Sequence, residues 1–97
     1  MEQQDAYRAK IVALISALFP EAKIYLFGSR AQGTNGPRAD YDLALDTGKR
    51  INRTDLAELR DILAETRIPH RFDIVDVNAI SQDFREIISK NWVLWKK

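Results

Sequence analysis

Asp40-Tyr41-Asp42-Leu43-Ala44-Leu45-Asp46 is the segment that most constrains this chain. Strand side chains alternate between two faces, so Asp40, Asp42, Ala44 and Asp46 fall on one side and Tyr41, Leu43 and Leu45 on the other. One face belongs against a core; the other carries carboxylates. Asp40 and Asp42 lie about 6–7 Å apart along such a strand. Like charges that close raise each other's pKa, and the pair is unfavourable until a cation neutralises it. Oxygen ligands on a rigid strand suit Mg²⁺, which takes one or two carboxylates and fills its other positions with water and phosphate oxygens.

The surrounding pattern predicts the scaffold. Tyr7, Ile11, Leu14, Ile15 and Leu18 recur at helical spacing and Pro20 closes the segment, which predicts an amphipathic helix over 5–19. Ile24 to Phe27 is a short apolar run ending at Gly28, the pattern of a buried strand. Gly33, Asn35, Gly36 and Pro37 make 32–39 a loop. Asn52 or Thr54 caps a helix with Leu56, Leu59, Ile62 and Leu63 on its core face, ending before Pro69. Arg71 to Val77 alternates as a third strand. Asn78 or Ser81 caps a last helix bearing Ile80, Phe84, Ile87 and Ile88, and Trp92 to Trp95 reads as an edge strand. The order predicts an α/β fold, a small mixed β-sheet of three to four strands flanked by about four helices. With 97 residues and neither repeat nor linker, a single domain over 1–97 is expected.

The third strand offers another carboxylate. Asp73 is flanked by Phe72 and Ile74, an odd place for a charge unless it meets a metal. If that strand lies beside the Asp40–Asp42 strand, three carboxylates converge and can hold two Mg²⁺ ions for an in-line phosphoryl displacement. Asp76, three residues on, faces the other side and is left out of the triad; Asp46 shares the right face but lies near the strand end. Upstream, Gly28 permits close backbone approach to a ligand, and Ser29 with free N–H groups at a helix start suits phosphate. Arg30 can add a charge-assisted contact.

Phe27-Gly28-Ser29-Arg30-Ala31, then Asp40-Tyr41-Asp42-Leu43, then Phe72-Asp73-Ile74 together resemble the signature of the DNA polymerase beta-type nucleotidyltransferase superfamily, and more closely its minimal nucleotidyltransferases. The resemblance spans residues 24–77. It implies the nucleotidyltransferase fold, NTP phosphates on Gly28 and Ser29, and Asp40 and Asp42 ligating both Mg²⁺ ions. Asp73 then ligates the catalytic ion and helps activate the acceptor hydroxyl. It further implies ATP as substrate and a HEPN-type ribonuclease toxin as partner, adenylylated on a tyrosine by a chain that serves as its antitoxin. Ala39 departs from the serine often found before the first aspartate.

Other classes fit less well. An EF-hand needs Gly where Leu45 stands, and a P-loop needs Lys where Thr34 stands. Fifteen Lys+Arg against fourteen Asp+Glu give a net charge of +1, so no stable nucleic-acid binding is expected. The absence of Cys and of a membrane-length apolar run predicts a cytoplasmic protein. His70 reads as a turn residue, and Trp92 and Trp95 as packing residues that would mark an interface if exposed. Two rival readings keep the resemblance: an antitoxin that neutralises its partner by binding alone, and a transferase acting on a small molecule. A core this small leaves much of an NTP exposed, so a homo- or hetero-oligomer completing the pocket is also expected.

Overall fold

A computed structural model describes residues 3–97. The chain runs through α1 (Gln3–Leu18), β1 (Lys23–Phe27), α2 (Gly28–Gln32), β2 (Tyr41–Asp46), α3 (Arg53–Ala64), β3 (Phe72–Asp76), α4 (Gln82–Ser89) and β4 (Val93–Lys96). The four strands form one mixed sheet in the order β3-β2-β1-β4. β1 pairs antiparallel with both β2 and β4, while β2 and β3 run parallel. Parallel neighbours need a crossover, and α3 supplies it.

The two faces of the sheet bury different things. Ile24, Leu26, Tyr41, Leu43, Leu45 and Ile74 join Ile11 and Ile15 of α1 and Leu59 and Leu63 of α3 in the main core, which Trp95 completes from β4. Complete burial of each such aliphatic side chain contributes about 1.5–3 kcal/mol. A smaller cluster on the opposite face joins Phe27, Ala44 and Val77 to Ile88 of α4, with Tyr25, Val75 and Trp92 packed alongside. Over β2 the expected parity holds: Tyr41, Leu43 and Leu45 face the main core, and Asp42, Ala44 and Asp46 face away from it.

Asn52, rather than Thr54, caps α3, its side chain accepting from Thr54 N at 2.8 Å. Ser81, rather than Asn78, caps α4 by accepting from Phe84 N at 3.1 Å, which leaves Ile80 outside the helix. Such a cap satisfies one of the unpaired N–H groups of the first turn. The first helix extends further towards the N-terminus than 5–19, and β2 starts at Tyr41, so Asp40 stands just ahead of the strand.

An arginine reaches each edge strand. Arg60 donates to Ile74 O of β3 at 3.0 Å, and Arg8 donates to Trp95 O of β4 at 3.2 Å. Trp92 stacks on Tyr25 with ring centroids 3.9 Å apart, so both tryptophans pack as expected. The exposed apolar residues nearby are Val93 and Leu94, with Phe84 and Ile87 on α4. Among the described residues no helix is long and apolar enough to cross a membrane.

Candidate active site

Asp42 is the register partner of Asp73 across the parallel β2–β3 pair. Aligned partners project from the same face of a sheet, so the two carboxylates stand side by side on the face away from the main core. On its other flank, Asp42 is aligned with Phe27 at the end of β1. The chain then turns through Gly28, whose φ of 75° is left-handed, into α2. A side chain at Gly28 is disfavoured twice over: by that backbone conformation, and because a Cβ there would displace the carboxylate of Asp42. The glycine–serine turn and the carboxylate pair are therefore built against each other.

Asp42 is half-buried, whereas Asp40 and Asp73 are exposed. Its carboxyl is pushed up to about 6, first by burial, then by the charges of Asp73 and Asp40, with Arg30 acting in the opposite sense. A carboxylate raised by like charges is one that a cation would relieve. Among the described residues no three carboxylate or imidazole groups are drawn into a ready-made metal cage. Asp42 and Asp73 are brought together; Asp40, one residue ahead of β2, couples to them electrostatically. This donor set fits Mg²⁺, which binds through one or two carboxylates and keeps water or phosphate oxygens elsewhere. Asp40 also lines a cleft of ≈ 600 Å³ with Arg38, Ile68, Pro69, His70 and Arg71, where two guanidiniums suit an anionic ligand.

The family profile described as polymerase beta, nucleotidyltransferase, matches residues 10–97. The chain belongs to this nucleotidyltransferase family. A relative, the probable protein adenylyltransferase MntA of Haemophilus influenzae, is 31% identical over 86 residues, covering 89% of this chain and 75% of that protein. A solved toxin–antitoxin complex with AMP-PNP contains a chain matched at TM-score 0.79 and 27% identity, over 91% of this chain and 71% of that one. The complex of a tri-AMPylated Shewanella oneidensis HEPN toxin with its MNT antitoxin matches at TM-score 0.76 and 24% identity, over 95% and 71% of the two chains, a likeness of fold.

Two sequence expectations change within this nucleotidyltransferase. Arg30, read as a phosphate contact, is 7% exposed and turned inwards: its Nε and Nη2 donate to Ala39 O at 3.0 and 2.8 Å. Its guanidinium also lies 4.2 Å from the centroid of the buried Tyr41 ring. The reason is that the chain between α2 and β2 folds back and presents a carbonyl to a side chain already out of water, which must have an acceptor there. His70 is more than a turn residue. Its Nδ1 lies 3.3 Å from Arg30 Nη2, and its ring packs edge-on against Tyr7 and Tyr41. A guanidinium only donates, so Nδ1 accepts and the ring is neutral with its proton on Nε2. Burial, then Arg30, holds the His70 pKa below its ordinary value.

The other acidic residues on these strands serve the fold. Asp76 is buried and accepts from Ile51 N at 2.7 Å and Asn78 N at 3.0 Å. Asp46 accepts from Gly48 N and Asn78 Nδ2, both at 2.9 Å, and the Asn78 bond leads the causes that lower its pKa. Strand parity excluded Asp76 from the site; the partners of Asp46 could not be read from sequence, because they come from a turn and from the segment after β3.

Proposed function

We propose that this single-domain chain is a Mg²⁺-dependent protein adenylyltransferase that moves AMP from ATP onto a hydroxyl of a HEPN-type toxin, most simply a tyrosine, and so acts as its antitoxin. The observation that carries the reading is the register of Asp42 against Asp73 with Gly28 pressed against the same carboxylate. The MntA relative and the toxin–antitoxin complex with AMP-PNP support the nucleotide and the class of partner.

The chain's own groups divide the work. Gly28 and Ser29 receive the triphosphate, since a glycine with a left-handed φ lets backbone N–H groups come close to phosphate oxygens. Asp40, Asp42 and Asp73 hold the metal, which when bound neutralises charge on the attacking and leaving oxygens. The acceptor oxygen forms a bond to the α-phosphorus, the bond from that phosphorus to the bridging oxygen breaks, and pyrophosphate leaves. Asp73, exposed at the edge of the pair, takes the proton of the attacking hydroxyl. The half-buried setting of Asp42 keeps water from screening its charge, which strengthens its hold on a cation.

The test compares ATP labelled at the α-phosphate with ATP labelled at the γ-phosphate, in the presence of a HEPN partner and Mg²⁺. Label arriving on the partner from the α position alone establishes nucleotidyl transfer. Label from the γ position would mean phosphoryl transfer instead. Inhibition of the partner with no label from either would favour neutralisation by binding alone.

A further inference from the structure

We propose that Arg30 is a positioning residue: its buried guanidinium ties together the segments that carry Asp40, Asp42 and Asp73 without itself touching metal or nucleotide. The proposal rests on the nucleotidyl-transfer reading above and extends it to a residue outside the carboxylate set.

The hydrogen-bond and ring partners of Arg30 all lie on segments that lead into those carboxylates. The fork onto Ala39 O, at 3.0 and 2.8 Å, grips the residue directly before Asp40. The Tyr41 ring beneath the guanidinium, 4.2 Å away, lies between Asp40 and Asp42 in sequence. His70 Nδ1, at 3.3 Å from Nη2, is three residues before Asp73. Arg30 itself belongs to α2, the helix that opens with Gly28 and Ser29. One side chain thus joins the phosphate turn, the start of β2 and the approach to β3.

β2 is anchored from its first residue, Tyr41 N donating to Arg71 O at 2.9 Å, whereas the chain leading into it, which carries Asp40, has few such ties. Residues 33–38 are exposed apart from the half-buried Asn35, and Ala39 N reaches Gly36 O only at 3.3 Å. A metal shell must be held to within about half an ångström, and the groups that orient its ligands matter nearly as much as the ligands. An arginine suits the task because its planar fork can grip one carbonyl with two donors and still lie flat on an aromatic ring. A lysine ammonium keeps the charge but loses the fork.

The experiment measures Mn²⁺ binding by electron paramagnetic resonance in the absence of nucleotide, together with kcat, KM for ATP and Tm, for wild type, Arg30→Lys and Arg30→Gln. The proposal expects folded Arg30→Lys to bind Mn²⁺ about 10–100-fold more weakly, with a matching fall in kcat and a KM for ATP near wild type. A lowered Tm with unchanged Mn²⁺ affinity and kcat would make Arg30 a stabiliser only and overturn the proposal. A loss confined to KM for ATP would overturn it in favour of a phosphate contact. Should the Arg30 variants fail to fold, His70→Phe keeps the ring packing and removes the Nδ1 acceptor; a smaller loss of Mn²⁺ affinity is expected, and none would overturn the proposal. If wild type binds Mn²⁺ but transfers no nucleotide, the transfer reading fails by itself, and the Mn²⁺ affinities still decide the role of Arg30.

Discussion

Asp42 and Asp73 are aligned across two parallel strands, and the carboxylate of Asp42 fills the space that a side chain on Gly28 would need. The sheet thereby sets two carboxylates beside each other and the Gly28–Ser29 turn against one of them. Each consequence of this arrangement can be measured.

Asp42 should make the metal-free protein sensitive to pH. Its folded-state pKa of about 6 lies above the ordinary 3.8, so between those values the folded chain binds more protons than the unfolded one. Stability then falls as pH rises through that window and stays lower above it. Asp42→Asn should raise the thermal midpoint near neutral pH in the presence of a chelator, with the difference closing by about pH 4. Mg²⁺ should raise the midpoint of wild type and not that of the variant. Melting curves across pH, with and without Mg²⁺, check both.

Asp73 and Asp76, three residues apart on one strand, should behave oppositely. Asp76→Ala leaves Ile51 N and Asn78 N without their acceptor in a buried place, and should cost about 2–3 kcal/mol by urea unfolding. Asp73→Ala should leave stability nearly unchanged while removing several kcal/mol of transition-state stabilisation, about a thousandfold or more in kcat. An Asp73→Ala enzyme with near-normal turnover would contradict the assignment.

Gly28→Ala should damage activity more than stability. The left-handed φ costs a non-glycine residue about 1–2 kcal/mol, and Asp42 must swing aside to admit the new methyl group. Comparing the unfolding free energy with kcat separates the backbone cost from the displaced carboxylate.

Tyr41→Phe tests the packing under Arg30. Among the described residues the buried Tyr41 hydroxyl has no hydrogen-bond partner, and burial leads the causes that raise its pKa. Removing an unsatisfied hydroxyl should be neutral or stabilising by up to about 1 kcal/mol in urea unfolding. A clear destabilisation would show that the oxygen is satisfied in solution.

Much of the site was legible because it rests on parity and backbone chemistry. Alternation over 40–46 put Asp42 on the face away from Leu43, and the three-residue spacing separated Asp73 from Asp76. Gly28 was readable because only glycine adopts its φ freely. Arg30 was not: where a long side chain ends depends on a carbonyl nine residues on, delivered by a loop whose path no periodicity encodes. The cap of α3 was ambiguous for a similar reason, since Asn52 and Thr54 are both good capping residues and only the turn into the helix selects between them.

The central claim is nucleotidyl transfer by the Asp42–Asp73 site. Its most direct test is the intact mass of a HEPN partner after incubation with this chain, ATP and Mg²⁺. The account predicts a gain of one or more AMP residues with wild type and none with Asp42→Asn or Asp73→Asn. A partner neutralised with its mass unchanged, or modified equally by those variants, would contradict it.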